Sequence, residues 1–184
     1  TNAQHQSILE PEWVNLLDAM GEAAEQGQHA TVLAFAEALG EAWYLRGRYA
    51  DARTGLRWAC AAAVAVQDDR ALVKFLAQWG RACVRQGDYA EAKRHFSLGK
   101  EIGNRKIDPI SIAQIAYESA QVAIEETDFN EAQTCLDLCL DIYEELNHDE
   151  GRGEALRQQA RVFFNQGQYL KAEKFAKASH DVLQ

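Results

Sequence analysis

The sequence predicts an all-α fold built as a solenoid of helix pairs, and three observations predict it. The first is a six-residue pattern, Gly47-Arg48-Tyr49-Ala50-Asp51-Ala52, which returns as Gly87-Asp88-Tyr89-Ala90-Glu91-Ala92, Thr127-Asp128-Phe129-Asn130-Glu131-Ala132 and Gly167-Gln168-Tyr169-Leu170-Lys171-Ala172. The copies start at 47, 87, 127 and 167, so the period is 40 residues without an insertion. A fixed period of this length marks stacked supersecondary units rather than one closed core. The second is composition: among 184 residues there are 2 prolines, and Ala, Leu, Glu, Gln and Arg dominate, which favours helix. The third is that no stretch alternates like a strand and no low-complexity linker interrupts the chain.

Taken in order, the chain opens with a polar tail, Thr1 to Ser7. Pro11 suits the first turn of a helix, and Trp13, Leu16, Leu17 and Met20 follow at helical spacing until Gly27. This opening helix lies outside the 40-residue register and reads as an addition to the array. Residues 1–28 are therefore expected to be tail and opening helix, and 29–184 one continuous domain of four repeats, near 33–72, 73–112, 113–152 and 153–184. Helices are expected near 29–46, 49–66, 69–86, 89–104, 110–126, 129–147, 150–166 and 169–182, about nine with the opening one. In each repeat the Gly ends one helix, the aromatic opens the next, and the Ala after it lets the two approach. Asp108-Pro109 reads as an N-cap with Pro in the first helical position. Other joints rely on polar residues such as Asp68-Asp69 and Asn147-His148-Asp149.

The pattern resembles the tetratricopeptide repeat. The small pair of that family's first helix falls on Leu39-Gly40, Trp79-Gly80, Ser119-Ala120 and Gln159-Ala160, and the following large position on Trp43, Cys83, Ala123 and Phe163. The second-helix series falls on Tyr49, Ala52, Leu56 and Ala59, then Tyr89, Ala92, Phe96 and Gly99. It continues at Phe129, Ala132, Leu136 and Cys139, then Tyr169, Ala172, Ala176 and Ser179. The resemblance implies a right-handed superhelical α-solenoid. The period exceeds the family's usual length of about 34 residues, which implies longer helices. Tyr89 is expected to wedge between the helices of its repeat, with Ala92 and Gly80 giving it room.

The opening stretch Glu10-Pro11-Glu12-Trp13-Val14-Asn15-Leu16-Leu17, with Ala42-Trp43-Tyr44-Leu45-Arg46-Gly47-Arg48-Tyr49, also resembles the junction that precedes the repeats of bacterial STAND ATPases of the NB-ARC type. That resemblance covers residues 8–60 and implies the sensor or autoinhibitory region of a larger signalling ATPase. The plain reading is an amphipathic capping helix, and the alternative function is a free-standing scaffold or peptide-binding protein. A start at Thr1 fits a processed terminus or a domain cut from a longer protein.

Chemistry is sparse. No Gly-x-x-x-x-Gly-Lys-Ser/Thr, Gly-x-Ser-x-Gly or His-Glu-x-x-His run occurs, so no enzyme activity and no cofactor are expected. His5, His29, His95, His148 and His180 are scattered, and none is expected beside a Cys or carboxylate cluster. Cys60, Cys83, Cys135 and Cys139 read as reduced core thiols of a cytoplasmic protein, and the four-residue spacing of the last two as packing rather than a metal site. Glu125-Glu126 and Glu144-Glu145 read as solvated helix surface. The net charge of −9 argues against a nucleic-acid or anionic-membrane partner. No apolar run approaches a membrane span, and the opening residues do not read as a signal peptide.

Binding is the expected role. In the resembled family the first helix of each pair lines the concave face. The corresponding positions are Glu37, Glu41, Tyr44 and Leu45; Lys74, Arg81, Val84 and Arg85; Gln114, Tyr117, Gln121, Ile124 and Glu125; and Glu154, Arg157, Arg161, Phe164 and Asn165. The stripe Arg81, Arg85, Arg157 and Arg161 suits an acidic protein or peptide segment. The carboxylate clamp of chaperone-binding members is not expected, because Glu37 and Glu41 stand at its positions. Phe175 and Val182 lie off the intra-repeat packing stripe of the last helix, and they predict self-association through that end face.

Overall fold

The computed structural model describes residues 12–103 and 108–184, and the expected first-turn role of Pro11 lies outside them. Among the described residues there are nine helices and no strand. They are α1 (Glu12–Glu25), α2 (His29–Leu45), α3 (Tyr49–Ala65), α4 (Asp69–Arg85), α5 (Tyr89–Gly103), α6 (Pro109–Glu125), α7 (Phe129–Glu145), α8 (Asp149–Asn165) and α9 (Tyr169–Val182). The starts from α2 onward fall every 20 residues, so the 40-residue sequence period is two helices and two joints. The helices are longer than the usual repeat requires, as the period implies. None is long and apolar enough to cross a membrane.

The joints share one backbone solution. The carbonyl of the third residue from the helix end accepts from the amide three positions past the helix, as in Arg48 N to Trp43 O, Asp88 N to Cys83 O and Gln168 N to Phe163 O. The residue between has positive φ: Gly27, Gly47, Gly87 and Gly167 at +68° to +78°, and Gln67, Thr127 and Asn147 at 59°, 62° and 52°. This is a Schellman closure, in which a left-handed residue reverses the chain and satisfies the helix's last carbonyls. Polar side chains then cap the next helix, as the sequence suggests. Asp68 accepts from the Ala71 amide at 2.9 Å, Asp128 from Glu131 at 3.1 Å, and the His148 ring nitrogen Nδ1 from Gly151 at 2.9 Å. Asp108 differs: Pro109 does open α6, but the Asp108 carboxylate accepts from the Ser111 hydroxyl at 3.0 Å instead of a backbone amide.

Each helix packs on its chain neighbours, and α2, α4, α6 and α8 pack side by side in series. That row is the wall that the resemblance makes the concave one. The core comes in two connected lots. One runs from Trp13 to Ile102 and takes Ile115 and Val122 of α6; the other takes Ala113, Ala116, Ala120 and Ala123 of α6 with α7 and α8. The four cysteines are buried free thiols, and burial pushes Cys60, Cys83 and Cys139 up to about 12 and Cys135 up to about 11.

Tyr89 is not the wedge the repeat pattern suggests. It is half-buried, and the cradle at Gly80 is filled by Phe96, which is 2 % exposed and sits where a Gly80 Cβ would go. One repeat earlier the roles are exchanged: Trp43 of the first helix fills Gly55 on the second. In the second repeat the large side chain two turns into the second helix, not the aromatic that opens it, reaches the middle of the pair. Phe96→Ala should therefore cost about 3–5 kcal/mol in chemical denaturation, and Tyr89→Ala clearly less. Equal losses would show that the aromatic at the joint is the wedge after all.

Candidate binding groove

The series α2–α4–α6–α8 brings the expected concave residues together, but as partners of one another. Lys74 pairs with Glu37. Arg81 reaches Glu41 at 2.7 Å and lies 3.7 Å over the Tyr44 ring. Arg85 donates to the Tyr44 hydroxyl from Nε at 3.0 Å and Nη2 at 2.7 Å, and to Gln121 Oε1 at 3.4 Å. Arg157 pairs with Glu154, and Arg161 with Glu125 at 2.7 Å. The Tyr117 hydroxyl donates to Glu154 at 3.4 Å and accepts from Gln158 Nε2 at 3.2 Å. Three of the four stripe arginines are thus ion-paired, Arg81 and Arg161 across repeats and Arg157 within its own helix, while Arg85 is held across repeats by neutral acceptors.

The twelfth repeat position sits at the groove's edge, and what packs on it decides its exposure. Tyr44 and Val84 are half-buried there, Ile124 is 3 % exposed and belongs to the core, and Phe164 is exposed, edge-on to Tyr169 at 5.4 Å. Ile124 is therefore not a groove residue. Leu45 and Asn165 are exposed at the ends of their helices. Phe175 and Val182 are half-buried: Phe175 stacks on Phe163 at 5.1 Å inside its own repeat. The exposed apolar side chains of that end include instead Leu170, at 85 %, with Tyr169 and Leu183.

Between α4, α6 and α8 the groove opens into a cavity of about 450 Å³. Tyr44, Gln78, Arg81, Arg85, Gln114 and Tyr117 line one part of it, and Tyr143, His148, Glu150, Glu154 and Arg157 the other. At its floor is Glu118, a residue the family's groove positions pass over. It is 5 % exposed, and its Oε2 has no hydrogen-bond partner. Burial pushes the carboxyl up to about 6, against the pull of Arg85 and Arg81. A sequence signal for it exists. The same register position holds Ala38, Gln78 and Gln158, so Glu118 is the one acid in a neutral row. Gln78 Oε1 and Gln158 Oε1 are likewise buried without a partner.

One further cluster departs from the sequence expectation. His95, expected apart from any Cys or carboxylate, lies with Glu91 and Cys83, their ligand-type atoms all within 4.8 Å of one another. Its ring stacks on Trp79 at 4.0 Å, and Nε2 is 3.4 Å from Glu91. The other Glu91 oxygen pairs with Arg53, which also reaches Asp88 at 3.1 Å and Gln86 at 2.8 Å. Desolvation holds the Cys83 thiol protonated and lowers His95. With a guanidinium beside it and the thiol uncharged, the set serves as a polar strut between α3, α4 and α5.

Comparison with known proteins agrees with this architecture. Residues 111–184 match the tetratricopeptide repeat family model. The crystal structure of BtubC (BKLC) from P. vanneervenii is similar in fold, with a TM-score of 0.75 at 14% identity, covering 92% of this chain and 73% of that one. No curated protein matches the sequence. Tetratricopeptide repeats are protein-interaction modules, and the matched residues include α8 and most of α6, two walls of the cavity.

The Glu118 carboxyl gives a stability test. Its folded value, about 6, lies above the free value of 4.5, so burying the ionised form penalises the fold above pH 6 and the penalty vanishes below 4.5. Glu118→Gln should therefore stabilise the protein by up to about 2 kcal/mol at pH 8, with the gap closing as pH falls toward 5. Urea denaturation at several pH values would show it; a gap that does not change with pH would mean the carboxylate is not strained.

Proposed function

We propose that this chain is a non-catalytic module that holds a segment of a partner protein in the concave groove around the α4–α6–α8 cavity. One observation carries the reading: an open cavity of about 450 Å³, walled by Tyr44, Tyr117, Arg81 and Arg85, on the face where four first helices stand side by side. Tyrosine and arginine are the side chains that anchor protein interfaces, because each couples a large apolar area to a fixed polar end. A cavity of this size holds a few side chains, and the groove around it accommodates the segment that carries them. Peptides selected from a random linear display library on the whole chain should bind here, and Tyr117→Ala should weaken them at least about tenfold with helicity retained. Peptides that bind the variant equally well would remove the concave face from consideration.

The setting we propose is the sensor or autoinhibitory region of a larger bacterial signal-transduction ATPase. It rests on the resemblance of the stretch around Trp13 and of Ala42–Tyr49; a free-standing scaffold is the alternative. The buried Trp13, against which Arg48 lies at 5.6 Å, ties the opening helix to the first repeat pair. Such an anchor suits a helix that transmits a change at the groove to whatever precedes it. The gene decides between the two: a P-loop ATPase module encoded ahead of Thr1 supports the sensor, and a start codon there supports the scaffold.

A further inference from the structure

We infer that the segment held in the groove seats a basic side chain, lysine or arginine, on the carboxylate of Glu118. The inference rests on the groove being the binding face and goes on to name the chemistry of the occupant. Buried polar groups in folded proteins are almost always satisfied, and a buried carboxylate short of partners is costly. Glu118 is such a group: 5 % exposed, with Oε2 unpartnered, on the lining of the cavity.

Two cations, Arg85 and Arg81, act on it through space, but their hydrogen bonds go to other groups. Arg81 is held by Glu41 and the Tyr44 ring, Arg157 by Glu154, and Arg85 by the Tyr44 hydroxyl and Gln121. The charges lining the cavity are Arg81, Arg85 and Arg157 against Glu118, Glu150 and Glu154, and Glu41 adds one more negative from beyond the wall. The balance at the site is therefore slightly negative. At longer range the net charge of −9 draws basic segments toward the chain and repels acidic ones. An acidic partner, the expectation from the Arg stripe alone, meets there a single guanidinium without a carboxylate partner, Arg85, and Glu118 already acts on that one through space.

The floor around Glu118 asks for donors too. Gln78 Oε1, which stands at the same register position one repeat earlier and also lines the cavity, is likewise buried and unpartnered. An ammonium or guanidinium supplies several N–H groups at once. The Tyr117 and Tyr143 rings beside the carboxylate give its aliphatic stem an apolar wall.

The test uses the same library selection on the whole chain. Peptides lost on Tyr117→Ala should be enriched in lysine or arginine at one position. Changing that residue to methionine should cost at least about tenfold on the wild type, and Glu118→Gln the same amount, but the two changes together no more than either alone. Glu118→Gln removes the charge at constant shape and relieves a strained group, so it leaves the fold intact. Groove-directed peptides that are neutral or acidic, or that lose affinity additively with Glu118→Gln, overturn this inference and leave the groove reading standing. Peptides indifferent to Tyr117→Ala, or no peptide at all, overturn both.

Discussion

Everything in this fold depends on one backbone conformation set on a 20-residue grid: a single left-handed residue in each of the seven described joints. Because that residue closes the helix at a set point, every full-length helix comes out at the same length, and side chains 40 apart in sequence stand in equivalent places. Gly supplies the conformation at 27, 47, 87 and 167 at no steric cost. Gln67, Thr127 and Asn147 adopt it against their Cβ, and Asn is the side chain best suited to do so. The Schellman hydrogen bonds and the cap that follows hold these residues in place. The repeat thus keeps its joint where it has lost its glycine.

From that regularity follows the wall. Equal helices put α2, α4, α6 and α8 in one layer, so a side chain on one meets the counterpart of its neighbour one repeat away. The ladder shows this in its spacing: Glu37 with Lys74, Glu41 with Arg81, Tyr44 with Arg85 and Glu125 with Arg161 are separated by 37, 40, 41 and 36 residues. Exposed pairs of this kind contribute little to stability. Their effect is to neutralise every arginine of the stripe but Arg85, which is held by neutral acceptors, and a stripe that reads as a trap for anions becomes a largely matched surface.

How far this was legible in the sequence varies with what each feature depends on. The period, the joints and the helix positions depend on local chemistry, and a hexamer with Gly, an aromatic and Ala at set offsets carries them. The wedge was misassigned because Tyr89 is the more regular residue, yet room in a helix pair is set by where a glycine faces, and Gly80 faces Phe96. Ile124 was placed in the groove by register, but burial at that edge is decided by the neighbouring helix. The His95 cluster was invisible because Cys83, Glu91 and Arg53 come from three helices and meet only after packing.

Glu118 shows why site chemistry is harder to read than fold. It stands at helical spacing between Ile115 and Val122, the two residues that α6 contributes to the first part of the core. A glutamine there, as at 78 and 158, would fill the same space without burying a charge. Gln78 and Gln158 also show that the position needs no acid for the helices to stack. The carboxylate is therefore a cost the solenoid does not require, and local departures from consistency of this kind concentrate where proteins bind. It is the one carboxylate among the unpartnered acceptors on the lining of the cavity. A repeat protein binds through what differs between repeats, because what they share is used up in holding them together, and in this groove the difference is a single acid in a row of neutral side chains.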